Sequence, residues 1–378
     1  MHVSRSPYQV ALSRSAGRMK GANMIIRWGC TACLVVVAAV STARGAISSF
    51  PICVNSANPG YLQFDPVRNT AYYIDDRDGS SQLYGYNLTT RQEFATGARF
   101  SARFSVSGDN VIWQPSSQFD RIYWYNLSSK QTVNITSTFP DPYGFGRFDV
   151  KNYMLPDLDG HIVVCGGFPM GPNTGVTAFD LTNQTTSILT RPSSPYCNEI
   201  AKVSSNVVVY IGYLDGWGLW TKKIDTGIVT RISTMEPRDF EISGNIIVWE
   251  DLTSTSPHNI YGYNLSTGAQ FPISTDANRY SQPDICGDIV TWLDTRGDDD
   301  TSLYDGRVYA YSISTGQEYA LGTDLPGTAW ECRAGDDVVV WTQRNPDGTT
   351  DIYGAYVPEP SCLLLLFAGG GLIRRRQR

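Results

Sequence analysis

The sequence predicts an all-β fold, a single β-propeller of seven blades, and three observations predict it. A pattern of short strands recurs seven times along the 378 residues, at intervals of roughly 40 to 50 residues, a repeat length that suits propeller blades. The composition leans toward sheet, with 22 Tyr and 9 Trp in a chain that is 42% hydrophobic, because aromatic side chains suit a pleated, packed surface. The seventh unit lacks its last strand, and a matching orphan strand stands near the start of the chain.

The first 45 residues stand apart. They hold Arg5, Arg14, Arg18, Lys20, Arg27 and Arg44 and no acid, then the apolar run Cys33-Leu34-Val35-Val36-Val37-Ala38-Ala39-Val40, then small residues at 41–46. Basic, apolar, small is the order of a secretory signal peptide, with cleavage expected after Gly45 or Ala46. An N-terminal membrane anchor is the alternative, but the run is shorter than the ~20 residues a span needs.

The repeated unit is clearest at 243–273. It holds an inner apolar strand, a second strand, a tight Ser-Thr-Gly turn and a return strand, all bounded by turn formers. The inner series runs Ala71-Tyr72-Tyr73-Ile74, Val111-Ile112-Trp113, Ile162-Val163-Val164-Cys165, Val207-Val208-Val209-Tyr210, Ile246-Ile247-Val248-Trp249, Ile289-Val290-Thr291-Trp292 and Val338-Val339-Val340-Trp341. A second column carries Tyr84, Tyr261, Tyr309 and Tyr353. Both aromatic columns read as blade core, since face-to-face sheets need large side chains to fill the gap. Six units then turn into a third strand, but in the seventh Tyr356-Val357 runs straight into Pro358. Phe50-Pro51-Ile52 repeats Phe271-Pro272-Ile273 residue for residue, so the start of the body, 46–357, is expected to supply the missing outer strand. Closing the ring removes an open sheet edge.

The chain ends on Pro358-Glu359-Pro360, an apolar segment at 362–373 and Arg374-Arg375-Arg376-Gln377-Arg378. This order resembles the PEP-CTERM sorting signal, with Pro358, Glu359, Pro360, Arg374, Arg375 and Arg376 in the motif positions of segment 358–378. The resemblance implies export and an exosortase as partner in the inner membrane. The apolar segment departs from it: 12 residues rise only ~18 Å as a helix against a ~30 Å hydrocarbon core. A transient membrane contact awaiting processing is the expectation. The repeats themselves, Gly-Asp-Ile-Val-x-Trp followed by Ile-Tyr-Gly-Tyr-Asn-Leu-Ser-Thr-Gly, resemble TolB-like β-propeller repeats of exported bacterial proteins. Such propellers often have six blades, so six is the alternative to seven; the match is weakest at 155–240.

Charge narrows the function. Of 30 Lys and Arg, six precede residue 46 and four follow 357, whereas only Glu359 of the 36 acids lies outside the body. The body therefore carries 20 bases and 35 acids, net −15, which disfavours nucleic acid as a partner. No catalytic constellation is visible. Only His161 and His258 remain in the body, on different units, whereas a propeller enzyme assembles several convergent His and acidic groups. Acid-rich turns are the metal candidates: Asp76 and Asp78, Asp298 and Asp300, and Asp347 and Asp351 fall in the same loop of units one, six and seven. Ca²⁺ takes several oxygens from one compact loop, but Asp-Gly is also an ordinary hairpin turn. Tyr143, Phe145, Trp217 and Trp220 break the repeat and are the aromatic binding candidates. The expectation is an exported, non-catalytic module that binds extracellular polysaccharide or protein. A propeller polysaccharide lyase or hydrolase and a purely structural surface protein are the alternatives.

Overall fold

The computed structural model describes residues 47–358 except 55, 57–58, 119–120, 139–155, 167–174, 191–199, 214–215, 235–236, 252–258, 275–279 and 297–305. The described strands form seven four-stranded antiparallel sheets, one per expected unit. Blade 5 shows the plan: Pro237–Ser243, Ile246–Asp251, Asn259–Asn264 and Ala269–Ser274 pair in chain order. The first strand of each blade touches the first strand of the next, and that of blade 7, Thr328–Ala334, touches that of blade 1, Gly60–Asp65. The seven first strands therefore form a closed ring around a central channel.

This corrects one element of the sequence reading. The apolar runs taken as inner strands are the second strands of the blades, and the innermost strand precedes each of them. Both faces of a second strand pack on neighbouring blades, so it reads as a continuous apolar run; Thr70–Asp75 is buried at all six positions. The innermost strand alternates polar and apolar residues and in blades 2, 3 and 4 is only three or four residues long, as in Ala201-Lys202-Val203-Ser204, so it offers little apolar signal.

There is no single central core. The buried apolar side chains of the described residues fall into seven clusters, one at each junction between blades. The aromatic columns fill these junctions as expected. Trp249, Trp292 and Trp341 are fully buried, and each faces a third-strand Tyr: Trp249 lies 6.0 Å from Tyr261, Trp292 6.1 Å from Tyr309 and Trp341 6.5 Å from Tyr353.

The closure is also as expected. Phe50–Cys53 pairs antiparallel with Thr350–Tyr356 and completes blade 7 from the other end of the chain. At the channel wall the junctions are pinned by a repeated hydrogen bond. The turn N–H of one blade donates to the last side chain of the preceding innermost strand: Gly108 to Asp65 (3.1 Å), Gly160 to Ser107 (2.9 Å), Gly244 to Ser204 (2.9 Å) and Gly287 to Ser243 (3.0 Å). All four glycines have φ of 55–58°, a region they enter without the Cβ penalty. Asn126 and Asn264, which match a glycosylation sequon, accept backbone N–H groups two and three residues on and shape the third-to-outer turn. No helix of the described residues is long and apolar enough to cross a membrane; segments 1–45 and 359–378 lie outside them.

Candidate channel site

Aligning the innermost strands by their pairing brings one polar position of each blade into a ring. Gln63, Ser105, Asp157, Lys202, Glu241, Asp284 and Arg333 pair with Tyr72, Ile112, Val164, Val209, Val248, Thr291 and Val340 of their second strands. Their successors in the chain are Phe64, Val106, Leu158, Val203, Ile242, Ile285 and Ala334, all apolar and buried. Alternation of this kind puts the polar set on one face of each strand.

The ring is tied across the junctions. Asp157 accepts the Val203 N–H of blade 4 (2.8 Å) and the Ser105 hydroxyl of blade 2 (3.3 Å). Lys202 pairs with Glu241 between blades 4 and 5. Asp284 accepts the Ala334 N–H of blade 7 (2.7 Å). Glu331 accepts the Leu62 N–H of blade 1 (2.9 Å) with one oxygen and Arg333 (2.9 Å) with the other.

Proton affinities follow from this enclosure. Burial pushes the Glu241 carboxyl above its ordinary range; Asp157 and Asp284 add to the push and Lys202 opposes it. Burial likewise raises Asp284 despite Arg333 and the Ala334 N–H. Burial works against the charge of Lys202 and of Arg333, but the carboxylates around them, Glu241 first for Lys202 and Glu331 first for Arg333, hold both above their usual values. A carboxyl that keeps its proton more tightly within a charged cluster is the kind of group that functional sites use, although structural networks produce it too.

The described candidate metal residues are each engaged in their own turn. Asp76 closes a turn by accepting the Gly79 N–H on its backbone carbonyl (2.9 Å), and Asp78 accepts the Tyr84 hydroxyl. Asp347 is engaged by the N–H (2.9 Å) and hydroxyl (2.6 Å) of Thr349, and Asp351 by Asn345 (2.7 Å). Asp298 and Asp300 lie outside the described residues. Among the described residues no three His, Cys, Asp or Glu gather as a metal set. In blades 1 and 6 arginine occupies the neighbouring acids instead. Arg77 bridges Asp75 (2.7 Å) and Glu93 (2.7 Å) 4.5 Å over the Tyr84 ring, and Arg296 bridges Asp294 and Glu318 (2.9 Å) 4.2 Å over Tyr309. The Asp-x-Arg spacing at both places was the sequence signal for this rivet.

Of the sorting-motif residues, Pro358 is exposed just beyond the last strand, and Glu359, Pro360, Arg374, Arg375 and Arg376 lie outside the described residues. His161 is mostly exposed, 4.0 Å from Asp180; His258, Tyr143 and Phe145 lie outside them. Trp220 is buried with its indole N–H on the Gly212 carbonyl (3.1 Å), and Trp217 is half-buried.

No protein-family model and no curated protein matches the chain. Solved structures do. An oligogalacturonate lyase in complex with manganese is 12% identical over 83% of this chain and 96% of its own, with a TM-score of 0.54. The β-propeller domain of the Trilobed protease from Pyrococcus furiosus is 10% identical over 81% of this chain and 94% of that one, TM-score 0.55. TolB from Acinetobacter baumannii is 13% identical over 69% of this chain and 62% of its own, TM-score 0.45. The shared element is the fold. At these identities the lyase and the protease domain speak for a propeller and not for a reaction, since one fold hosts many functions.

Proposed function

We propose that the chain is an exported, envelope-associated propeller that acts as a non-catalytic binding module for an extracellular polysaccharide or a protein. The observation that carries this reading is the difference between the two faces of the ring. On one face the strands are joined by turns of two to five residues. On the other, the connections range from three residues to the 22 between Asn134 and Asp157. A rigid disc with its variation confined to one face is how scaffolds carry specificity. The charged wall supports the reading, because Lys202, Glu241, Asp284 and Glu331 serve as links between blades. Export rests on the residue order of the two termini. An exosortase acting at Pro358-Glu359-Pro360 and the arginine cluster is the partner that order implies.

A propeller lyase or hydrolase is the second reading, and Glu241 with Asp284 is what favours it: two carboxyls with strengthened hold on a proton in one channel suit acid–base chemistry. The test is a glycan-array screen of the exported chain, with and without Ca²⁺, followed by mass spectrometry of each bound glycan. Saturable binding of an unchanged glycan supports the module. Product formation that Glu241→Gln abolishes would transfer the protein to the enzyme reading.

A further inference from the structure

The inner wall of the ring is not uniform. In blades 2, 3 and 4 the innermost strand pairs in register over the described residues. In four consecutive blades, 5, 6, 7 and 1, it carries a β-bulge near its start, where the chain enters the channel from the face of long connections. The register slips between Pro237 and Phe240, Ser281 and Asp284, Ala329 and Glu331, and Gly60 and Gln63. A bulge costs ladder hydrogen bonds and re-aims a side chain. Asp239, Gln282, Trp330 and Tyr61 fall within these four slips.

Two of these residues are held where side chains rarely go. Tyr61 has φ 53° and Gln282 has φ 56°, left-handed values that a bulky residue adopts only under constraint. Among the described residues five other non-glycines share such a φ, at Asn69, Arg91, Lys130, Gln184 and Ser205, and all five sit in turns. Tyr61 and Gln282 interrupt strands. In the turns after the innermost strands the left-handed positions fall to glycine, Asn69 or Ser205 (Gly108, Gly160, Gly244 and Gly287 are the glycines), so the bulky side chains within strands are the unusual feature.

The four residues are accessible and lie on four successive blades. Tyr61 is 37% exposed, Asp239 is exposed, and Gln282 and Trp330 are half-buried. The Trp330 ring reaches across the junction to blade 1, where a Cβ on Gly60 would stand 3.4 Å from it. Two aromatic residues, a carboxylate and an amide thus stand at the entry ends of four consecutive innermost strands, an arc that also holds the Arg333–Glu331 pair, 2.9 Å apart.

We propose that this arc is a subsite for a neutral polysaccharide, which rests on the binding-module reading above. A pyranose ring offers an apolar C–H face that stacks on Tyr61 or Trp330, and hydroxyls that pair with Asp239 and Gln282. Charge selects the neutral class. The body carries net −15, and among the described side chains of the innermost strands Lys202 and Arg333 already face carboxylates, so a uronate polymer meets repulsion.

The test uses the full chain and soluble glucan, mannan and galactan as probes, with alginate and polygalacturonate as the anionic set, followed by affinity electrophoresis and tryptophan fluorescence. Tyr61→Gly and Gln282→Gly relax the left-handed backbone while deleting the side chain, so they are expected to keep or raise Tm and yet weaken neutral-glycan binding about tenfold. Trp330→Phe should retain more affinity than Trp330→Ala. Neutral-glycan binding untouched by both glycine variants would overturn the subsite and leave the module reading standing, as would preference for the uronate polymers. Binding of no glycan would overturn the subsite and leave a protein partner as the module's ligand. Release of shortened glycans would instead overturn the non-catalytic reading.

Discussion

Phe50 lies directly over Gly354. The two residues are paired across the closing strands of blade 7, and a Cβ on Gly354 would stand 2.7 Å from the Phe50 ring. The same relation recurs inside blade 1, where Phe94 is paired with Gly85, and inside blade 5, where Phe271 is paired with Gly262. The N-terminal strand is therefore seated in blade 7 by the same device that seats an ordinary outer strand.

Gly354→Ala should accordingly unseat Phe50. A methyl group forced into that space is expected to cost about 1–3 kcal/mol, read from urea unfolding. Removing 47–53 would leave the Thr350–Tyr356 edge open, and light scattering should then show concentration-dependent association. An unchanged urea midpoint for Gly354→Ala would mean that the closing strand contributes nothing to stability.

Asp324 anchors the same strand. Its carboxylate accepts the Ser49 N–H (2.9 Å) and hydroxyl (2.6 Å). Burial alone would raise its pKa, but the Ser49 hydrogen bonds outweigh it and the value is lowered. A lowered folded pKa gives stability that is present above the unfolded value of about 3.9 and lost as pH falls through the folded one. Thermal unfolding should therefore show an acid-side loss below about pH 4 that is smaller in Asp324→Ala; equal acid slopes in both proteins would contradict this.

Glu241 has the opposite sign. Its folded pKa lies above the unfolded value because burial, Asp157 and Asp284 favour the neutral form more than Lys202 favours the charged one. The folded state binds the extra proton, so this contribution is complete below the unfolded pKa and disappears as pH rises through the folded one. Unfolding free energy measured from acid to alkaline pH should fall less steeply in Glu241→Gln than in the parent protein. A steeper fall in the variant would show that the Lys202 pairing dominates.

The arginine rivets are expected to matter for stability rather than for ion binding. Asp294 is fully buried and bound by Arg296, so Arg296→Ala leaves a buried carboxylate without that partner, at a cost of about 3 kcal/mol. Asp294→Asn combined with Arg296→Ala should cost less than the sum of the two single changes. Strict additivity in a urea-unfolding cycle would show that the two side chains act independently.

Much of the architecture was legible because it is written locally and repeatedly. The Trp113, Trp249, Trp292 and Trp341 column marks strands packed on both faces, and each of the four is buried. The match of Phe50-Pro51-Ile52 to Phe271-Pro272-Ile273 announced the closure. The innermost strands were not legible. Asp157–Asp159 and Ala201–Ser204 are three and four residues long, too short for an alternating pattern to stand out, and in blades 5, 6, 7 and 1 a bulge breaks the period of two.

The sequence by itself determined the fold class, the seven-fold repeat and the strand that closes it, because hydrophobic period and turn chemistry act between neighbours in the chain. Only the tertiary structure decided the channel. Asp157, Lys202, Glu241, Asp284 and Arg333 are spread over five blades, and no local pattern relates them. They meet because seven twisted sheets close on one axis, and their charges then interact across the junctions in a partly buried wall.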